Sequence, residues 1–320
     1  MHFVAEGPGA ARRARGDDGP AHRGGERRPA RRRRPAGGAG AHPGQARRGG
    51  DGALVHVDDA WRALEHRAHS LGHLLAGRLD TPDHAPRAWA VFAHCFTCSK
   101  DTKAAAYIAQ ALAAAGYGVL RFDFTGLGGS GGDFANTDFS SNVDDLVAAA
   151  DWLRSHQGAP TLLIGHSLGG AAVLAAAGRV DDARAVVTLG APFDPAHVTH
   201  QFGAALQVIE TDGQAQVRLG GRPFTIRRSF IDDVNGQAQQ QRIRTLRRPL
   251  LVMHSPGDTV VEVDNARRIF ESALHPKSFV ALDGADHLLN RAADARFAAS
   301  IISSWASRYL PHESMADAGA

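Results

Sequence analysis

Gly165-His166-Ser167-Leu168-Gly169-Gly170 follows the apolar run Thr161-Leu162-Leu163-Ile164 and precedes an alanine-rich stretch, residues 171–178. This is Gly-x-Ser-x-Gly between a short buried strand and a helix, the pattern of a sharp turn that presents a serine. The reason for the pattern is steric. A serine on such a turn sits at strained backbone angles, so the residues two before and two after it must be nearly free of side chain. Its hydroxyl then stands above the sheet at a helix N-terminus, where the helix dipole and free N–H groups favour negative charge.

A serine hydroxyl is a weak nucleophile unless a base takes its proton, and that base needs an orienting group. For a serine on this kind of turn the acid and the histidine follow in chain order. Asp258, in His254-Ser255-Pro256-Gly257-Asp258-Thr259, comes just after the apolar run 250–254. His287, in Asp283-Gly284-Ala285-Asp286-His287, comes just after the run 279–282. All three candidates follow strand ends, so one edge of a parallel sheet would gather them. Asp286 adjoins His287, but neighbours in a loop rarely face each other, which leaves Asp258 as the orienting acid. His166 and His254 are read as structural. A developing oxyanion needs two N–H donors, one from the residue after the nucleophile and one from the loop after an earlier strand. These fall on Leu168 and on Phe96, in Ala93-His94-Cys95-Phe96-Thr97-Cys98.

The flanking sequence repeats one rhythm. Residues 71–79, 88–93, 119–124, 161–164, 185–189, 250–254 and 279–282 read as strands. Helices are expected over 101–115, capped by Ser99 or Asp101; from Ser141-Asn142 onward; after Ser167; around Ala266, Ile269, Phe270 and Ala273; and through Ala298, Ile301, Ile302 and Trp305. Short apolar strands alternating with amphipathic helices imply a mostly parallel sheet covered on both faces, with ligands at the carboxyl ends of the strands. Residues 193–247 break the rhythm. They are polar and Gln-rich, with a hairpin turning at Gly220-Gly221, and read as a cap inserted above those strand ends.

Composition divides the 320 residues unevenly. Residues 1–50 carry 12 Arg and 4 acidic residues, net +8; the rest carries 24 basic and 29 acidic residues, net −5. The segment 1–52 is Arg, Gly, Ala and Pro with Phe3 and Val4 as its only large apolar residues, too little to offset the entropy of ordering. It is expected to be disordered. A nucleic-acid-binding arm and a targeting segment were weighed for it; an upstream start in a compositionally biased frame is preferred, and nucleic acid is expected to bind, if at all, only there. Residues 53–70 form a lead-in, 71–310 one domain, and 311–320 a short tail.

Neither a membrane span nor a disulfide framework is expected from a chain with two cysteines and no long apolar run, which makes the cytoplasm the default compartment. His66, His69 and His73 have helical spacing but lack carboxylate partners, and are read as solvated. Gly126, Gly128 and Gly131 match Gly-x-Gly-x-x-Gly, yet Gly132-Asp133-Phe134-Ala135-Asn136 separates them from any helix, against a dinucleotide site. Cys95-Phe96-Thr97-Cys98 lacks the second ligand pair that zinc would need; a redox role stays open. No metal or organic cofactor is expected.

Five blocks together carry a family resemblance: Ala93-His94-Cys95-Phe96-Thr97-Cys98-Ser99-Lys100-Asp101, Leu120-Arg121-Phe122-Asp123-Phe124-Thr125-Gly126-Leu127-Gly128, Asp133-Phe134-Ala135-Asn136, the Ser167 turn, and Gly190-Ala191-Pro192-Phe193-Asp194-Pro195. They resemble the α/β-hydrolases found fused to an OsmC-like domain and, more loosely, bacterial cinnamoyl/feruloyl esterases. The latter have His-Gly-Phe-Thr-Gly where this chain has His94-Cys95-Phe96-Thr97-Cys98. The resemblance spans about residues 71–310 and implies the α/β-hydrolase fold, Ser167, Asp258 and His287 as a triad, and Phe96 and Leu168 as oxyanion donors. It does not extend to 1–52 or to an OsmC-like domain, so no peroxidase activity is carried over. The expected activity is cleavage of a small-molecule carboxylic ester through an acyl-enzyme. A peptidase or amidase on the same residues, or a non-catalytic redox-responsive module, are the alternatives.

Overall fold

The computed structural model describes residues 72–310; the basic tail, the lead-in with His66 and His69, and the segment 311–320 lie outside the described residues. Seven strands form one sheet in the order β1-β3-β2-β4-β5-β8-β9. They are β1 (Gly77–Asp80), β2 (Ala88–Ala93), β3 (Tyr117–Phe122), β4 (Pro160–His166), β5 (Ala185–Leu189), β8 (Leu250–His254) and β9 (Lys277–Ala281). Only β1 is antiparallel, against β3; the other five pairings are parallel. Every residue of β4 is buried, as the continuous apolar run of a strand covered on both faces requires.

The alternation of side chains along β2 builds two cores. Val91 and Ala93 pack with α2 (Phe139–His156) and α3 (Leu168–Ala176) on one face, while Ala90 and Phe92 pack with α1 (Lys103–Ala114) and the C-terminal helix α8 (Ala292–Ala306) on the other. All nine residues of α3 are buried, so small side chains rather than an amphipathic stripe suit it.

Several boundaries differ from the sequence reading, each for a local reason. α2 starts at Phe139, ahead of Ser141, because Asp138 accepts the Ser141 N–H (2.7 Å) while Ser141 Oγ accepts the Asp138 N–H (2.9 Å), a reciprocal capping box. α1 is capped by Thr102 without a side-chain bond, not by Ser99 or Asp101. The first strand is shorter than residues 71–79, because the Leu74 and Ala76 carbonyls accept from Gly131 and Asp123 in a loop. His73 is half-buried, its ring beside Gly132, rather than solvated.

The insertion has structure of its own. A 3₁₀ segment (Pro195–Phe202) and α4 (Ala205–Asp212) lead to the hairpin β6 (Gln214–Leu219) and β7 (Arg222–Arg227). α5 (Arg228–Asn235) and α6 (Gln239–Arg244) return the chain to β8, and α7 (Asp264–Ser272) follows β8. The hairpin turns at Gly220 and Gly221, both at positive φ, as expected. Phe202, Ile209, Phe230, Val234 and Ile243 join the core of α2 and α3, so the cap is continuous with the domain on that face. Among the described residues no helix is long and apolar enough to cross a membrane.

Arg121 anchors the outer edge. It is 1% exposed and donates to Asp80 Oδ2 (2.7 Å) on β1 and to the Lys100 carbonyl. Asp80→Ala leaves that buried guanidinium with only the exposed Asp101 carboxylate, 3.6 Å away, and is expected to lower unfolding free energy by about 2 kcal/mol. Urea unfolding of the two proteins checks this; a loss below about 1 kcal/mol, the range of an exposed pair, would refute the assignment.

Candidate active site

The sheet register sets the site. Ala93 of β2 is level with Gly165 of β4, His166 with Leu189 of β5, Leu189 with Met253 of β8, and His254 with Ala281 of β9. The loops that follow β2, β4, β8 and β9 therefore emerge side by side at one edge. Those loops carry Phe96, Ser167, Asp258 and His287.

Ser167 sits at φ +55°, ψ −126°. Its N–H donates to the Leu189 carbonyl (2.8 Å), and its carbonyl accepts from Gly170 (2.8 Å). The steric argument from sequence is met directly. A Cβ on Gly165 would lie 2.2 Å from the Gly169 carbonyl oxygen, and one on Gly169 would lie 2.4 Å from the carbonyl oxygens of both Ala93 and His94. The helix after the serine thus packs its first turn against the backbone of the loop that follows β2.

The three residues meet in one line. His287 Nε2 lies 3.0 Å from Ser167 Oγ, and His287 Nδ1 lies 2.6 Å from Asp258 Oδ2. An ionised carboxylate only accepts, so Nδ1 carries the proton and Nε2 is free to accept the Ser167 hydroxyl. Burial alone pushes the Asp258 carboxyl up, but hydrogen bonds from His287 and from the Val261 (3.0 Å) and Val260 (2.9 Å) amides hold it below its ordinary 3.8. Gly190, at φ +55°, lets the end of β5 pass the pair; a Cβ there would stand 3.4 Å from both Asp258 Oδ2 and His287 Nδ1. Asp286 bonds Asn290 instead, at 2.9 Å and 3.0 Å, and points away from this line.

Two histidines read as structural have definite tasks. His166 is 2% exposed, and its Nε2 lies 2.7 Å from the His287 backbone carbonyl, which can only accept. His166 is therefore the Nε2–H tautomer and ties the turn of Ser167 to the loop of His287. Burial, then the neighbouring His287, push its pKa down to about 3. His254 likewise donates from Nε2 to the Val261 carbonyl (2.8 Å), bracing the loop around Asp258, and burial lowers its pKa.

Leu168 and Phe96, the expected oxyanion donors, line one narrow cavity together with His94, Phe124, Leu127 and Phe134; it holds about 10 Å³, room for about one water. The Phe96 ring packs against Phe134, Phe202 and Phe230 at centroid distances of 5.6, 6.3 and 5.3 Å, so the cap packs aromatic faces against the turn that carries Phe96. These cap residues were not found from sequence; only the insertion as a whole was. The loop also holds a Cys95–Cys98 disulfide. The glycine motif serves an internal carboxylate: Gly129 N–H donates to Asp123 Oδ2 (2.8 Å), and a Cβ on Gly128 would overlap that oxygen. Among the described residues no cluster of three or more His, Cys, Asp or Glu could hold a metal ion.

Known proteins resemble this chain over most of its described length. Residues 84–216 match the family model described as serine aminopeptidase, S33. The esterase domain of a Rhodothermus marinus protein is 49% identical, with 76% of this chain and 97% of that one covered and a TM-score of 0.63. A monoacylglycerol lipase of Mycolicibacterium smegmatis is 28% identical over 239 residues, 63% of this chain and 82% of that protein. Est1E of Butyrivibrio proteoclasticus, solved with ferulic acid bound, shares the fold at 18% identity, a TM-score of 0.66, and 75% and 96% coverage. The chain belongs to the α/β-hydrolase family. Within it, it is an esterase-type serine hydrolase.

The buried histidine makes stability depend on pH. Folded His166 stays neutral down to about pH 3, whereas the unfolded chain takes up that proton near the ordinary 6.5. The unfolded state binds more protons in that window, so stability falls as pH drops from 6.5 towards 3. Asp258, lowered below 3.8, adds a loss only at the acid end, as pH falls through its folded value. His166→Gln keeps a donor and removes the titration. Between about pH 7 and pH 4 it is expected to lose roughly 1–3 kcal/mol less than wild type by urea unfolding. Equal losses in the two proteins would refute the linkage.

Proposed function

We propose that this chain hydrolyses carboxylic esters through an acyl-enzyme, with Ser167 as nucleophile, His287 as general base and then acid, and Asp258 orienting the imidazole. The observation that carries this reading is the unbroken Ser167–His287–Asp258 hydrogen-bonded line, at 3.0 and 2.6 Å. Ser167 Oγ attacks the ester carbonyl as His287 Nε2 takes its proton. The oxyanion collects at the free N–H of Leu168, first residue of α3, and at the Phe96 amide. His287 then protonates the leaving alcohol, and water repeats the sequence to release the acid. No step calls for a metal or an organic cofactor.

The cavity beside Ser167 suggests which esters. Its walls of Phe96, Phe124, Leu127 and Phe134 suit an apolar acyl group, in keeping with the ferulic acid bound in the Butyrivibrio structure, and its present volume of about 10 Å³ must widen to admit one. We also read the chain as the hydrolase of the OsmC-linked type, on its five sequence blocks, and as acting on small molecules in the cytoplasm. The aminopeptidase family name keeps amide cleavage as the second reading.

A fluorophosphonate probe is expected to label the wild-type protein and not Ser167→Ala. Hydrolysis of p-nitrophenyl esters should fall by about 10⁴-fold or more in Ser167→Ala, and by roughly 10³–10⁴-fold in Asp258→Asn, which loses the productive tautomer. Unlabelled wild-type protein would overturn the reading. Faster turnover of a matched anilide than of the ester would replace esterase with amidase.

A further inference from the structure

The turn that carries Phe96 is restrained from every side. Cys98 N–H donates to the Cys95 carbonyl (3.1 Å), closing a four-residue turn, and Thr97, its third residue, has φ +58°. A β-branched residue is strained there, by roughly 1–3 kcal/mol. His94 Nδ1 lies 2.8 Å from the same Cys95 carbonyl, and Arg222 of the cap hairpin donates to the Thr97 carbonyl. Beyond the turn, Asp123 receives the Lys100 N–H (2.6 Å) and ammonium (2.8 Å), and Arg121 holds the Lys100 carbonyl. Across the turn itself runs the covalent tie between Cys95 and Cys98.

The two sulfurs differ in access. Cys95 is 4% exposed and lines the cavity that Leu168 also lines, whereas Cys98 is half-buried. An attacking thiolate thus meets Cys98 first, and Cys95 is the leaving group. The pair holds both of the chain's cysteines, so neither has an alternative partner within the chain. Under the cytoplasmic reading given above, such a bridge is one that exchanges rather than one that staples.

We propose that Cys95–Cys98 is a thiol-exchangeable disulfide that sets turnover at Ser167, its co-reactant being a dithiol. The inference rests on the esterase reading above. One thiolate of the dithiol bonds to Cys98 Sγ; the Cys95–Cys98 bond breaks, and its electron pair leaves on Cys95 Sγ, which takes up a proton. The second thiolate of the dithiol then displaces Cys98 from the mixed disulfide. The protein gains two electrons and two protons, and the dithiol becomes a cyclic or paired disulfide. With the covalent tie open, Thr97 relaxes towards negative φ. That rotates the Phe96–Thr97 peptide and shifts the loop on which the Phe96 amide is held. The bridged protein is the faster enzyme and the dithiol form the slower one.

The test uses the full chain equilibrated in mixtures of reduced and oxidised dithiothreitol, with alkylation and mass measurement reporting the thiols. Ser167-dependent ester hydrolysis by the bridged protein is measured first; its absence removes the functional reading and not the exchange chemistry. On reduction, kcat is expected to fall about tenfold, less than the roughly 10²–10³-fold that full loss of an oxyanion donor produces, with KM held within about twofold. Reoxidation should restore the rate, which a loss of fold would not. Cys95→Ser/Cys98→Ser should sit at the slow rate and ignore dithiothreitol. Equal kcat for protein with two alkylatable thiols and protein with none would overturn the proposal. So would a bridge that native protein never yields to the reagent while unfolded protein does.

Discussion

Ser167 can stand at φ +55° only because backbone replaces side chain around it. Gly165 meets Gly169, and Gly169 meets the carbonyls of Ala93 and His94, at separations that leave no room for a methyl group. That contact locks β4, α3 and the loop after β2 to one another. Everything chemical follows from it: the height of the hydroxyl, the free N–H at the start of α3, and the approach of the Phe96 turn. A looser packing here would displace Ser167 and the Leu168 and Phe96 amides together.

Around this contact the electrostatics are arranged by burial. His94, His166 and His254 are all held neutral by desolvation, and each then has one N–H to give and one lone pair to keep. Their donors go to the backbone carbonyls of Cys95, His287 and Val261, that is, to the loops that carry Phe96, His287 and Asp258. Of the carboxylates here, Asp258 is kept ionised by His287 and its amide donors, and Asp123 is neutralised by Lys100. Neutral histidines thus brace the loops without competing with His287 for Asp258, although His254 Nε2 approaches it to 3.6 Å.

Most of the fold was legible because its signals are local. The apolar runs of β2, β4, β5 and β8 fall within a residue or two of their expected bounds, since a strand buried on both faces has no other composition. The hairpin at Gly220-Gly221 was legible because a tight turn needs positive φ at both positions. Helix starts were less so: Ser141 serves as the third residue of a capping box, a role set by geometry that Ser99 and Asp101 do not share. The packing of Phe202 and Phe230 against Phe96 had no sequence signal, because nothing in the chain between 193 and 247 marks which side faces the site. The bracing role of His166 was missed for the same reason; its partner is 121 residues away.

By itself the sequence determined the elements of the proposed machinery: a serine between glycines, then an acid, then a histidine, each after an apolar run. Those features depend on spacing and on sterics within a few residues. The tertiary structure alone decided which nitrogen of each histidine is occupied, which carboxylate faces His287, how the cap closes over Phe96, and that Cys95 and Cys98 are joined. All of these depend on distances between segments far apart in the chain, and only the register of the folded sheet sets such distances.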